Sequence, residues 1–127
     1  MSKRVLVIDS SRVIRTLLQI HLQQAGHGVL VCSTSQEGLW VLRSVQEAPD
    51  LLFLAVHPAL KEDYEVIRSV SKSAQTCLIV MALQEDQAHI QRYLRETPVT
   101  YLLKPFRVEE ALSLVAENLA TGPLHEM

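Results

Sequence analysis

Residues 49 to 58, PDLLFLAVHP, decide how this chain is read. Leu51 to Val56 is an unbroken apolar run rich in strand formers, preceded by Pro49-Asp50 and followed by His57-Pro58, and it reads as a strand buried on both faces. In open α/β folds, ligands bind outside the carboxyl ends of such strands. At that end the chain places Ala55. A methyl group is neither a nucleophile, a metal ligand nor a general base, so the position nearest any chemistry is inert.

The same strand signal recurs on both sides. Arg4 to Ile8, His27 to Ser33, Thr76 to Ala82 and Val99 to Leu103 are further apolar runs of strand length, each followed by a helical pattern. Ser10-Ser11 offers two N-caps for a first helix with Val13, Ile14, Leu17, Leu18, His21, Leu22 and Ala25 at helical spacing, and Gly26 ends it. Thr34 to Glu37 matches a capping box before a helix through Glu47. Glu62 or Asp63 is expected to cap a third helix running to about Ser73, with Tyr64, Ile67 and Val70 inward. Gln84 to Glu96 carries one apolar stripe at Ile90 and Leu94, and Arg107 to Ala120 starts with Glu109 and Glu110 near its positive end. Trp40 and Tyr64 are expected to pack on the sheet.

Five βα units with apolar strands predict one α/β domain over residues 1–127, with the tail 121–127 frayed. The expected fold is a flavodoxin-like (βα)5 doubly wound parallel sheet in strand order 2-1-3-4-5. That order sets Cys32 and Cys77 three strand spacings apart, about 14 Å, so both are expected as free thiols.

Composition excludes several functions. The chain of 127 residues is 48% hydrophobic and 20% charged, which is globular, and no apolar run approaches the length of a membrane span. A net charge of −2 without clustered Lys and Arg argues against nucleic acid, and Arg92 with Arg95 reads as solvated surface. The N-terminal apolar run ends at Asp9, too soon for a secretory segment, so a cytoplasmic protein with no membrane partner is expected.

Three stretches resemble the response-regulator receiver family of two-component signalling and phosphorelays. VLVIDSSRVIR (5–15) is similar to the family's first strand and helix start, PDLLFLAVHPALKEDYEVIR (49–68) to the segment around its phosphorylated aspartate, and YLLKPF (101–106) to its closing lysine motif. The likeness runs from about Lys3 to Leu119 and implies the fold stated above.

The family's chemistry transfers only in part. Receivers bind Mg²⁺ with two consecutive acidic residues; here Asp9 matches the first and Ser10 stands at the second. The phosphoacceptor aspartate corresponds to Ala55, and the hydroxyl residue that follows the phosphoryl group corresponds to Met81. Lys104 and the switch residue Tyr101 match in type. The family's Pro and Gly after the acceptor are replaced by Ala59 and Asp63, with Pro58 one residue early. One carboxylate and a serine hydroxyl make a poor site for a hard cation, and an apolar Met81 disfavours a dianion.

The resemblance therefore implies a degenerate pseudo-receiver: no metal, no cofactor and no enzyme activity, but a signalling or interaction module independent of phosphorylation. Its expected partners are a kinase, another receiver, or a second copy forming a dimer through the face around Tyr101. The alternative is a sensor whose cleft, rebuilt around Asp9, His57 and Lys104, takes a nucleotide or small anion. An enzyme on this scaffold is the weakest reading, since no nucleophile is paired with a base and no cofactor fingerprint is present. With the acceptor and second acid absent, Asp9 and Lys104 are expected to pair directly, within ~4 Å.

Overall fold

The apolar runs become five parallel strands in a computed structural model that describes residues 3–72 and 75–121. They are β1 (Arg4–Ile8), β2 (Gly28–Cys32), β3 (Leu51–Ala55), β4 (Cys77–Leu83) and β5 (Thr100–Lys104). Between and after them lie α1 (Arg12–Gln24), α2 (Ser35–Ser44), α3 (Lys61–Ser71), α4 (Gln84–Leu94) and α5 (Val108–Thr121). The sheet order is β2-β1-β3-β4-β5, with β3 in the middle. This is the flavodoxin-like (βα)5 arrangement expected from the sequence.

Side chains alternate across the strands and build two cores. On one face Val5, Val7, Phe53 and Ile79 meet Leu18 and Leu22 of α1 and Ala111 and Val115 of α5. On the other, Leu6, Ile8, Leu52 and Leu54 meet Leu39, Tyr64, Ile67, Ile90 and Leu94 from α2, α3 and α4. Leu51 to Leu54 are fully buried, as a strand covered on both faces requires. Cys32 and Cys77 are buried and free.

Local signals act largely as expected. Ser11 caps α1, its side chain accepting from the Ile14 N–H, and Gly26 follows the helix at φ +96°, a conformation that favours glycine. Thr34 caps α2 by accepting from the Glu37 N–H, while Glu37 reaches back to the backbone and hydroxyl of Ser33. Gly38 lies where α2 crosses Ile8: a Cβ there would stand 2.2 Å from Ile8 Cδ1. Only a residue without a side chain allows this approach.

Five expectations change. Trp40 is 70% exposed, because Leu39 takes the inward direction of α2 and the next residue is turned ~100° round the helix. Val13 is 76% exposed for the same reason, Leu18 and Leu22 forming the buried stripe of α1. Helix α2 ends at Ser44, with Val45 extended, and α4 ends at Leu94 rather than at Glu96. Helix α3 starts at Lys61 after Leu60, which gives no side-chain cap, so neither Glu62 nor Asp63 is the N-cap. The expected end of α3 at Ser73 and the tail beyond Thr121 lie outside the described residues. Among the described residues, no helix is long and apolar enough to cross a membrane.

Candidate functional site

A cleft of about 460 Å³ opens at the carboxyl ends of β1, β3 and β4, where the parallel topology brings strand ends and helix starts together. It is lined by Asp9 and Ser10 after β1, Ala55 and His57 at the end of β3, Met81 on β4 and Lys104 at the end of β5. The residues placed together by the sequence reading are thus neighbours in space, apart from Tyr101.

Asp9 is almost fully buried, and its two oxygens have separate tasks. Oδ1 accepts a hydrogen bond from the Ser11 N–H at 2.8 Å, which shapes the entry into α1. Oδ2 lies 2.8 Å from Lys104 Nζ, so the expected pair is present. Oδ2 has no aligned hydrogen bond, which makes this a contact of charges rather than a directed bond. The lysine keeps 21% of its side chain exposed while the aspartate keeps 1%.

The residues at this position do not suit Mg²⁺. A hard cation needs free carboxylate oxygens in near-octahedral array, but both oxygens of Asp9 are engaged, the next residue is an exposed serine and β3 ends in Ala55. Among the described residues, no group of three or more His, Cys, Asp or Glu is placed to hold a metal ion. Met81, fully buried, pairs with Ala55 across β3 and β4 and belongs to the core on the α1 and α5 side. It floors the cleft with apolar surface.

The sequence reading missed Asp63. Instead of capping α3 in solvent, its side chain is turned inside, 6% exposed. Oδ1 accepts from the Ser35 hydroxyl at 2.6 Å and Oδ2 from the His57 N–H at 2.8 Å. One buried carboxylate therefore ties the start of α2, the loop after β3 and the first turn of α3. The signal in the sequence was an acidic residue directly before an inward Tyr64, which places it beside the helix's buried stripe. His57 is itself exposed, and its Nδ1 accepts from the Ala59 N–H at 3.1 Å, so the ring folds back on its own loop.

Charge in the cleft favours acids: Asp9, Glu62, Asp63 and Asp86 face a single lysine, Lys104. Tyr101 stands apart. It is half-buried on β5 against the core that contains Ile90 and Leu94, and burial pushes its phenol up. Nearby, the rings of buried Tyr64 and exposed Tyr93 meet with centroids 4.1 Å apart. Burial raises the Tyr64 phenol first, and the neighbouring Tyr93 adds to it.

No family model matches the chain. The transcriptional regulatory protein AfsQ1 of Streptomyces coelicolor is 29% identical over 101 residues, 80% of this chain and 44% of that protein. The chain thus spans less than half the length of that relative. A response regulator from Thermotoga maritima superposes with a TM-score of 0.79 at 27% identity, covering 94% of this chain and 99% of the other. A CheY-like receiver domain protein from Methanospirillum hungatei superposes with a TM-score of 0.80 over 94% and 95% of the two chains, and at 20% identity it speaks to the fold alone.

Fold and strand order define a doubly wound α/β module of the flavodoxin-like class. The relatives and structural neighbours support a response-regulator receiver domain within it.

Proposed function

We propose that this receiver domain is a non-catalytic interaction module of a two-component-type pathway that works without being phosphorylated. The observation that carries the reading is at the cleft floor: Ala55 ends β3, and Lys104 is held 2.8 Å from Asp9. In an active receiver, as the resemblance implies, that lysine contacts a phosphoryl group. Here its charge is met within the protein.

Two further observations support it. The His57 N–H, a donor at the mouth of the cleft, is taken by Asp63. Met81 offers no hydroxyl to an oxyanion. The excess of carboxylates over cations also disfavours the rival reading of a nucleotide or anion sensor, because an anion would have to enter against Asp9, Glu62, Asp63 and Asp86. The proposed partners are signalling proteins such as a kinase or another receiver, meeting the face of α4, β5 and α5. On β5 of that face Tyr101 is half-buried. A cytoplasmic setting follows from such a pathway.

Incubation with acetyl phosphate and Mg²⁺ tests the reading. Wild type is expected to incorporate no phosphoryl group, Ala55→Asp little, and the triple change Ala55→Asp, Ser10→Asp, Met81→Thr clearly more, because phosphoryl transfer depends on metal and hydroxyl positioning as well as on a nucleophile. Labelling of wild type on any residue lining the cleft would overturn it.

A further inference from the structure

We propose that the free edge of the sheet at β2 pairs with the same edge of a second copy, joining two five-stranded sheets antiparallel about a two-fold axis at Leu30. Strand β2 ends the sheet and, among the described residues, has β1 as its one neighbour. The Gly28 N–H donates to the Lys3 carbonyl at 2.9 Å and the Cys32 carbonyl accepts from the Asp9 N–H at 3.1 Å, so residues 28, 30 and 32 face β1. By strand alternation, the backbone N–H and C=O groups of Val29 and Val31 point to the open side.

Such an edge is normally blunted by a charge, a proline or a bulge. GVLVC has none of these, and Leu30 is 56% exposed on it. Beside Leu30 lies an apolar groove of about 650 Å³ to which Val41 and Val45 of α2 and its exit contribute, Val45 being 38% exposed.

The geometry selects a second copy as the occupant. With the axis at Leu30, Val29 of each copy opposes Val31 of the other, and these are the residues whose hydrogen-bonding groups face outward. Leu30 then opposes Leu30 in a non-hydrogen-bonded pair, where side chains approach most closely. Both leucines lie on the α2 side and cover each other's groove. The ends of the strand complement in charge: Lys3, whose backbone N–H donates to His27 Nδ1 at 3.3 Å, lies at one end, and Glu37, which accepts from the Ser33 N–H at 2.7 Å, lies at the other. The antiparallel register sets each basic end against the acidic end of the second copy. An isologous contact of this kind closes as a dimer.

Sedimentation of the full chain over a dilution series tests this. Wild type is expected to be a dimer that dissociates on dilution, while Leu30→Lys and Leu30→Glu, both at an exposed position, are each expected to be monomers with unchanged circular dichroism. An equimolar mixture of the two variants is expected to regain the dimer, since only at the two-fold axis does residue 30 meet its own counterpart. A monomeric wild type, a dimer unaffected by either variant, or a mixture that stays monomeric would overturn the proposal. A dimer that persists in both Leu30 variants but is lost in Tyr101→Glu would place self-association on the other face and leave the proposed function standing.

Discussion

The Ser35 hydroxyl and the Asp63 carboxylate are 2.6 Å apart, both buried, and join the starts of two neighbouring helices. With its other oxygen on the His57 N–H, Asp63 gives two donors an acceptor within the protein. Removing it leaves one buried donor, the Ser35 hydroxyl, and one partly buried donor, the His57 N–H, without this acceptor, and a buried orphan costs about 1–3 kcal/mol. Asp63→Ala is expected to lower stability by about 1–3 kcal/mol by that measure, with Asp63→Asn between it and the wild type because it keeps one acceptor. Urea midpoints at constant slope read this. A midpoint unchanged in Asp63→Ala would show that the bridge does not hold the loop.

Breaking the pair across the cleft should be asymmetric. In Lys104→Ala the carboxylate of Asp9, buried far more than its partner, loses its ion-pair partner; the expected loss is about 3 kcal/mol, the lower end for a buried pair because the lysine is partly in water. Asp9→Asn leaves the lysine free to turn to solvent and should cost less. A double-mutant cycle on the two positions measures the coupling, and a coupling indistinguishable from zero would reduce the contact to coincidence.

Gly38 gives the sharpest packing prediction. An alanine there gains about 1 kcal/mol of helix propensity but must displace Ile8, and overpacking a well-filled core costs about 1–3 kcal/mol. Gly38→Ala is expected to be destabilising alone and to recover when combined with Ile8→Val, whose lost methyl is Cδ1, the atom 2.2 Å from the new Cβ. Thermal unfolding of the two single variants and the double one decides it; additive losses would rule out the contact.

The strands were legible because apolar runs of strand length leave little choice of period, and their order was expected because 2-1-3-4-5 is a common doubly wound arrangement of five. Ala55, Met81 and Lys104 could be set at one edge for the same reason: a parallel sheet puts every strand's carboxyl end together. What could not be read was direction round a helix at single residues. Trp40 lies one position from Leu39 and Val13 one position from Ile14, and hydrophobicity does not tell which of two adjacent apolar residues faces in. Asp63 was hidden by a similar ambiguity, since an acid in a first helical turn is favoured there whether it points to solvent or to a neighbouring loop.

Alkali should unfold the protein earlier than its composition suggests. Burial raises the thiols of Cys32 and Cys77 above their usual 9.0, with Glu37 and Asp50 respectively adding to the effect, and burial raises the phenol of Tyr64 above 10.0. A folded state that holds these protons longer than the unfolded chain is stabilised below the ordinary value, and the advantage is lost as pH rises through the raised one. Stability is therefore expected to fall from about pH 9 upward, the pKa region of free thiols. At pH 8 both thiols should react with an alkylating reagent only as fast as the chain opens. Rapid modification in the native state would contradict their burial.

Trp40 is the single tryptophan of the chain, and it stands in water on the outside of α2. Its emission is therefore expected to be that of a solvated indole, with unfolding changing its surroundings little, which makes tryptophan fluorescence a poor gauge of whether this fold is intact. The same exposure makes it a reporter of arrivals. Whatever settles on the outer surface of α2 must dry that ring, and a blue shift on titration would reveal the encounter without any label.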